Sequence, residues 1–287
     1  MKSYFDIVGD GGSQVVAQVE AQQQAIAGAL AGVRHRVAVA SGKGGVGKST
    51  VTTALARALR RDGKRVAILD GDFNGPCQAR LAGIGTAPWI PGERGLSLPQ
   101  NREGIGVLSF GSLLPDARAL EFDSVAQGDE QTWRATREFA TLAQLMAGAD
   151  WGTLDVLLFD LPPGAERTRQ FAQFLGAETA FVLVTIPSDL SRGVVARSIS
   201  ALEKSDTRVL GYVENMAGYY CRGCGEVRPL FPASPTVLPI PCLGAIPFDP
   251  ELAARSDRGE ALPADHPSAV EIAETARKIL ESLDAAP

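Results

Sequence analysis

Residues 42–50, Gly-Lys-Gly-Gly-Val-Gly-Lys-Ser-Thr, match the pattern G-x-x-x-x-G-K-[ST] at every fixed position. A loop of this pattern wraps backbone N–H groups around nucleotide phosphates, with Lys48 at the β- and γ-phosphates and the Ser49 hydroxyl on Mg²⁺. An apolar run over Val37–Ala40 precedes the loop, and Thr50–Arg61 has helical composition. The motif therefore predicts a strand, a phosphate loop and a helix. We expect nucleotide contacts from Gly42, Lys43, Gly44, Gly45, Val46, Gly47, Lys48, Ser49 and Thr50.

Strand-like and helix-like segments alternate from residue 36 onward. Most strand candidates are continuous apolar runs, as in a parallel sheet covered by helices on both faces. We predict an α/β fold, doubly wound around a mostly parallel sheet, with nucleotide at the carboxyl ends of the strands. The predicted strands are Val37–Ala40, Arg65–Leu69, Ile105–Phe110, Val156–Phe159, Ala180–Ile186, Val209–Glu214 and Cys242–Ile246. The predicted helices after Thr50–Arg61 are Trp133–Ala147, Glu166–Leu175, Ser191–Ser205 and Ser268–Leu283.

Two regions flank or interrupt this alternation. Residues 1–35 are predicted to form a short helical extension with a helix over Gln14–Ala31, and residues 36–287 to form the nucleotide-binding domain. Within that domain, a loop that contains Cys221 and Cys224 is predicted near residues 217–240. Gly83–Gly104 is rich in proline and glycine, and Glu121–Thr132 is polar and acidic. Both are predicted surface loops.

Composition narrows the class of protein. The chain has 287 residues, 45% of them hydrophobic, which is enough for one large domain with a full core. Its net charge of −5 argues against nucleic-acid binding, which favours a basic face. We find no apolar stretch near the ~20 residues that span a membrane and no secretory signal core, so we expect a cytoplasmic protein without a membrane or nucleic-acid partner.

Acidic residues follow two of the predicted strands. Asp70 and Asp72 come after the second strand, at the sheet edge where Mg²⁺ and an attacking water must be held, and Asp70 is expected to support the metal shell. The apolar run Asp155–Asp160 ends in an acid, which is typical of a carboxylate that holds Mg²⁺ through water. The stiff turn Pro162–Gly164 follows, where a backbone N–H would sense the γ-phosphate.

Cys221 and Cys224 form a C-x-x-C pair with glycine between and after them. Such a knuckle aims two sulfurs at one metal, which is half of what tetrahedral zinc or a [4Fe–4S] cluster requires. A two-fold dimer would complete the set. Three interpretations stay open: a cluster shared between subunits, a zinc shared likewise or completed by Cys242, and an unligated or redox dithiol. Cys77 and Cys242 themselves are predicted to be small buried side chains.

Lys43 is a second lysine in the phosphate loop, beyond the one that the motif requires. It would serve a site across a subunit interface if it points away from its own nucleotide. At this point the chain resembles the deviant Walker A ATPases, which include MinD, ParA, the nitrogenase iron protein and the Mrp/ApbC proteins. The resemblance implies that Lys43 contacts the nucleotide of a partner subunit. It also implies that Asp72 positions or activates the attacking water.

The resemblance is closest to the Mrp/ApbC family of iron–sulfur cluster carrier ATPases. The matching stretches are Ala40–Thr50, Leu69–Pro76, Trp151–Gly164, Val213–Cys224 and Gly244–Asp249. It implies a homodimer that binds a [4Fe–4S] cluster through Cys221 and Cys224, receives it from a donor and transfers it to apo-proteins under the control of ATP. It assigns Asn215 to the adenine base, walled by Pro247 and Phe248. On chemistry alone, Asn215 could equally begin a turn.

Other functions compete with this interpretation. The run Ala165–Arg167 replaces the usual threonine–glycine–aspartate of the family. A MinD- or ParA-like positioning ATPase would need a basic amphipathic C-terminal helix or a basic patch, whereas acids predominate on this helix, which is better suited to pack on the domain. An electron-transferring reductase would place its cysteines farther apart in sequence. The apolar stripe expected on the C-terminal helix is Val270, Ala273, Ile279, Leu280 and Leu283.

Overall fold

The computed structural model describes residues 15–113, 130–205, 207–221, 223–232 and 235–285. The strands in this part of the chain are β1 (Val33–Ser41), β2 (Val66–Asp70), β3 (Ile90–Gly92), β4 (Gly95–Ser97), β5 (Gly106–Leu108), β6 (Ala149–Asp150), β7 (Leu154–Asp160), β8 (Thr179–Thr185), β9 (Val209–Tyr220), β10 (Val227–Arg228) and β11 (Cys242–Phe248). The helices are α1 (Val15–Ala29), α2 (Lys48–Arg61), α3 (Gln78–Leu81), α4 (Glu130–Gly148), α5 (Ala165–Leu175), α6 (Asp189–Glu203), α7 (Pro250–Asp257) and α8 (Pro267–Asp284).

The central sheet has the order β10-β9-β8-β1-β7-β2-β5, and β11 pairs with the other side of β9. All its ladders are parallel except the short pairing of β9 with β10. Strand β1 lies between β7 and β8, so the phosphate loop that follows it leaves from the middle of the sheet. The predicted mostly parallel α/β fold is confirmed.

The core lies on both faces of this sheet. Alternate residues of β1 point to opposite sides, with Val37 and Val39 in one apolar cluster and Ala38 and Ala40 in the other. Helices α2 and α8 cover the first face, and α4, α5 and α6 cover the second. Helices on both faces explain why the strands are apolar throughout rather than alternating.

All seven predicted strands are present, but β9 is longer than predicted. Its sequence pattern ended at Glu214, whereas the strand runs on to Tyr220 because β11 pairs along it. Asn215 therefore lies inside the strand and does not close it. The predicted cysteine loop over residues 217–240 accordingly begins only at Cys221. Asn215, Ala217 and Gly218, which follow Glu214, do not favour a strand, and the pairing that extends the strand is long-range.

The stretch Gly83–Gly104 is not only a surface loop. It contains the hairpin of β3 and β4, which β6 extends into a three-stranded sheet. Strands of three residues are too short to show a periodicity. Of the predicted loop Glu121–Thr132, residues 121–129 lie outside the described residues, and α4 begins at Glu130.

Helix α1 matches the predicted N-terminal helix, of which residue 14 lies outside the described residues. Strand β1 begins at Val33, two residues ahead of the predicted end of the extension, and Leu30 already packs in the core. The division of the chain into an extension and a domain stays a prediction.

Helix α8 packs on the domain as expected, but with a different apolar face. Val270 is 55% exposed and Ala273 is also exposed, so two of the five residues of the predicted stripe are wrong. Because α8 packs against α2 and β11, its buried face includes Ala269 and Ile272, each one position before a predicted residue. Its buried residues are Ser268, Ala269, Ile272, Thr275, Ala276, Ile279 and Leu283. No helix among the described residues is long and apolar enough to cross a membrane.

Candidate nucleotide site and cysteine hairpin

The phosphate loop joins the end of β1 to the first turn of α2. Gly47 adopts φ +80° and caps α2, and a Cβ added there would lie 2.2 Å from Nδ2 of Asn215. Both the left-handed backbone and the close approach require glycine. The Nδ2 of Asn215 also donates to the carbonyl oxygen of Val46 at 2.8 Å. Strand β9 is thus in direct contact with the loop.

Lys48, Ser49 and Asp160 come together at the carboxyl edge of the sheet, as the sequence predicted. The Nζ of the buried Lys48 donates to Oδ1 of Asp160 and to the Ser49 hydroxyl, the latter at 3.2 Å. The Thr52 hydroxyl also donates to Oδ1 of Asp160, at 3.2 Å. The lysine that the motif assigns to the phosphates thus pairs with the carboxylate at the end of β7.

Asp70 lies beside Asp160, in register across β2 and β7. It is buried and accepts hydrogen bonds from the backbone N–H of Gln78 at 3.0 Å and the Ser109 hydroxyl at 2.8 Å. Burial, with the neighbouring Asp160 charge, raises the pKa of Asp70 to about 7. Two buried carboxylates facing one lysine are a donor set that suits a divalent cation, which would relieve their repulsion.

Asp72 lies two residues beyond the end of β2 and is half-buried. Its backbone N–H donates to Oδ1 of Asp70 at 3.2 Å, and its carbonyl accepts from Gly75. The turn is anchored by the buried Phe73 that follows. Asp72 is therefore next to the carboxylates that are predicted to hold Mg²⁺, and its role toward water stays a prediction.

Gln78 is a residue of the site that sequence reasoning missed. It is fully buried at the start of α3, and its side chain hydrogen-bonds Asp160, Thr53 and the carbonyl oxygen of Ser49. A polar residue in the first turn of a short helix gives no sequence signal for this position. Only the proximity of α3 to the ends of β2 and β7 reveals it.

Lys43 is half-buried in the loop, where the Ser41 hydroxyl donates to its carbonyl oxygen at 3.0 Å. Its Nζ has no ion pair or hydrogen bond with the residues that the structure describes. It is thus distinct from Lys48, whose ammonium is engaged within its own chain.

Three residues expected around the adenine base come from β9 and β11. Asn215 is buried, Pro247 is buried, and Phe248 is 38% exposed at the end of β11. The Phe248 ring stacks on Tyr219 with centroids 6.4 Å apart. These residues lie near one another because β9 and β11 pair in parallel. Their contact with a base stays a prediction.

The turn Pro162–Gly164 leads from β7 into α5, and the N–H of Gly164 donates to the Ser41 carbonyl at 2.8 Å. Arg167, where the chain departs from the family pattern, ion-pairs with the buried Glu138 of α4. Its guanidinium also lies over the Phe139 and Phe171 rings, 5.5 and 5.4 Å from their centroids. The altered segment therefore fastens α5 to α4.

Cys221 and Cys224 lie in a tight turn between β9 and β10. The turn is closed by hydrogen bonds from Cys221 N to the Glu226 carbonyl at 2.9 Å and from Gly225 N to the Cys221 carbonyl at 2.8 Å. Hydrogen bonds from Cys224, then from the Gly223 backbone, lower the pKa of the Cys221 thiol. We call this turn, residues 221–226, the cysteine hairpin.

The cysteine hairpin carries the two thiols that the sequence predicts to bind a metal. No group of three or more His, Cys, Asp or Glu side chains is arranged to hold a metal ion in the described part of the chain. Cys77 is half-buried, and burial raises the pKa of its thiol to about 12. Cys242 is exposed, so its predicted burial is wrong, because it opens β11 at the surface.

The fold and the phosphate loop define a P-loop nucleotide-binding protein of the MinD/ParA type. The family of ParA/NUBPL iron-transfer P-loop NTPases matches residues 32–284. The chain belongs to this family, and the predicted family resemblance is confirmed.

Individual relatives agree with this assignment. The chain is 32% identical to an iron-sulfur cluster carrier protein of Saccharolobus solfataricus, over 94% of this chain and 92% of the relative. It is 35% identical to the human cytosolic Fe-S cluster assembly factor NUBP2, over 91% of this chain and 96% of the relative.

Solved structures share the fold. A nucleotide-binding protein from Archaeoglobus fulgidus in complex with ADP has a TM-score of 0.68 and 34% identity, over 82% of this chain and 90% of that one. The cell division ATPase MinD from Pyrococcus furiosus has a TM-score of 0.59 and 23% identity, over 86% and 98% of the two chains. At that identity the likeness to MinD concerns the fold alone.

Proposed function

We propose that this protein is an ATP-dependent iron–sulfur cluster carrier that binds a [4Fe–4S] cluster between two subunits and delivers it to apo-proteins. One observation carries the proposal: the strand that contacts the phosphate loop through Asn215 ends at Tyr220, directly before Cys221. Asn215 and Cys221 are six apart in sequence, and β9 bulges between them, where Met216 adopts φ +55° and the register with β11 shifts. Nucleotide state and thiol position would thus be connected through one short segment of β9. The names of the family and of its relatives support the same cargo.

A dimer is proposed because the cysteine hairpin holds half of a ligand set. Cys221 and Cys224 of each subunit would together provide the four thiolates that a cubane cluster takes. Backbone hydrogen bonds close the cysteine hairpin, and the exposed position of Cys224 would let a recipient protein approach the cluster. Exposed ligands suit a cluster that must leave, since solvent access weakens metal retention.

The nucleotide part of the proposal assigns ATP and Mg²⁺ to the phosphate loop. Lys48 would leave Asp160 for the β- and γ-phosphates, while Ser49 and, through water, Asp160 hold Mg²⁺ with Asp70 behind them. Mg²⁺ would supply charge neutralisation on the phosphates. Asp72 would orient the attacking water and Lys43 would reach the partner's nucleotide, so that hydrolysis is slow in a lone subunit.

The proposal also includes a cellular compartment and binding partners. We assign the protein to the cytoplasm, with a cluster donor and apo-proteins as partners and with neither nucleic acid nor membrane among them. The relatives named cytosolic assembly factors and the net charge of −5 support this assignment. The charged side chains exposed on α8 are the acids Glu281 and Asp284 and one base, Arg277, a balance that does not favour an anionic lipid surface.

Anaerobic reconstitution with iron and sulfide tests the cargo. The wild-type protein should turn brown and contain about four irons per dimer. Cys221→Ala and Cys224→Ala should each lose the cluster, whereas Cys242→Ala, a matched exposed cysteine outside the hairpin, should retain it. Full iron retention in Cys221→Ala would refute the ligand assignment. A colourless wild-type protein that holds zinc would favour a zinc-stabilised ATPase, and loss of that zinc in Cys242→Ala would identify its third ligand.

Steady-state hydrolysis tests the role of Lys43. Lys43→Ala should slow ATP turnover by at least tenfold while nucleotide affinity changes little, because its ammonium has no partner among the described residues and would act on the nucleotide of the other subunit. Lys48→Ala should weaken nucleotide binding itself. Unchanged turnover in Lys43→Ala would exclude action across the interface.

A further inference from the structure

Gln78 has every polar group of its side-chain amide engaged. Its Nε2 donates to Oδ2 of Asp160 at 2.8 Å and to the Ser49 carbonyl at 3.0 Å, and its Oε1 accepts from the Thr53 hydroxyl at 2.6 Å. The side chain is fully buried. Rotating the amide by half a turn would set Oε1 against two acceptors, so the orientation is fixed.

These bonds join three elements around the metal-binding position. Ser49 and Thr53 belong to α2, Asp160 ends β7, and the backbone N–H of Gln78 donates to Asp70 at the end of β2. Gln78 thus connects Ser49 and Asp160, the two residues that would lie on either side of Mg²⁺. A buried amide with no free hydrogen is a rigid spacer.

We propose that Gln78 is a positioning residue for the metal–nucleotide complex, which keeps Asp160 in place when Lys48 moves to the phosphates. In the structure Lys48 and Thr52 share Oδ1 of Asp160, while Gln78 alone among the described residues holds Oδ2. When the ammonium leaves, Oδ2 remains anchored by Gln78. The carboxylate then keeps one fixed orientation and needs no rearrangement to receive a metal-bound water.

This inference rests on the proposed Mg²⁺–nucleotide site and deepens it. Residues that orient a metal ligand from behind change metal affinity by about 10- to 100-fold when they are removed. Gln78 does not reach the phosphates in this arrangement, because its amide is directed at Asp160 and at the backbone of Ser49. The expected effect is therefore on Mg²⁺-dependent binding and not on metal-free binding.

The test measures the affinity of a fluorescent ADP analogue in EDTA and in Mg²⁺. Gln78→Met keeps the length of the side chain and removes its donors and acceptor. The dissociation constant in EDTA should stay within about twofold of wild type, and the tightening caused by Mg²⁺ should fall by about 10- to 100-fold. In steady state, the Mg²⁺ concentration at half-maximal turnover should rise by a similar factor.

Trp151→Phe is the matched control. It removes a buried hydrogen bond, from Nε1 to the Met146 carbonyl at 2.8 Å, at the opposite end of β7 from Asp160. It should leave the Mg²⁺ effect intact. If Gln78→Met does not fold, Thr53→Val, which removes the hydroxyl that orients Gln78, should lower the Mg²⁺ effect by a few-fold.

The outcomes separate the two levels of the proposal. A full Mg²⁺ effect in Gln78→Met or, where that variant does not fold, in Thr53→Val refutes the positioning role and leaves the nucleotide site standing. Equal losses in Gln78→Met and Trp151→Phe refute it too, since they indicate general destabilisation. A wild-type protein whose nucleotide affinity does not respond to Mg²⁺ refutes the metal site itself, and this inference with it.

Discussion

Replacing Arg167 by methionine should lower the free energy of unfolding by about 3–5 kcal/mol. The guanidinium ion-pairs with Glu138, whose side chain is only 7% exposed, so its loss leaves a buried carboxylate without its countercharge. Stacking on Phe139 and Phe171 adds about 0.5–1 kcal/mol for each ring, part of which the methionine side chain recovers.

Arg169 on the same helix is the control. It pairs with Glu166 in an exposed i,i+3 arrangement, with the two side chains 37% and 64% exposed. Water and salt screen such a pair, so Arg169→Met should cost at most about 0.5 kcal/mol.

Urea unfolding of both variants, followed by far-UV circular dichroism without nucleotide, measures the difference. The double variant Glu138→Leu/Arg167→Met should be more stable than Arg167→Met alone, since it removes the unpaired buried charge. The reasoning fails if Arg167→Met and Arg169→Met differ by less than about 1 kcal/mol, or if the double variant is the least stable of the three.

Three further predictions concern thiols, pH and packing. Under anaerobic conditions Cys221 should react with iodoacetamide far faster than Cys77 at pH 7.5, because the pKa of Cys221 is lowered and burial raises that of Cys77 to about 12; equal labelling by mass spectrometry would contradict this. The pKa of Asp70 rises from 3.8 to about 7 on folding, so its contribution to stability is full below pH 4 and is lost as the pH rises through 7. In EDTA, the free energy of unfolding of Asp70→Asn relative to wild type should therefore increase by a few kcal/mol over that pH range. A difference that does not change with pH would refute the shift. Gly244→Ala should destabilise by about 3 kcal/mol because its Cβ would lie 1.8 Å from the Thr275 hydroxyl, and adding Thr275→Ala should restore part of the loss in thermal melts.

Much of this protein could be predicted from its sequence because the informative patterns are local. The phosphate loop is nine consecutive residues whose ligand groups are mainly backbone N–H, so their spacing alone indicates the ligand class. Apolar runs separated by helical segments indicate a parallel sheet, since helices on both faces make such strands apolar throughout. The cysteine pair can likewise be recognised from the sequence, because Cys221 and Cys224 are three residues apart.

Contacts between distant residues were decided only by the tertiary structure. Gln78 lies 82 residues from Asp160, and Asn215 lies 169 residues from Val46, so no local pattern could predict either hydrogen bond. The same holds for the length of β9, which depends on its pairing with β11, and for the buried partner of Arg167. A sequence specifies which groups are available; the order of strands in the sheet specifies which of them meet, because parallel strands gather their ends at one edge.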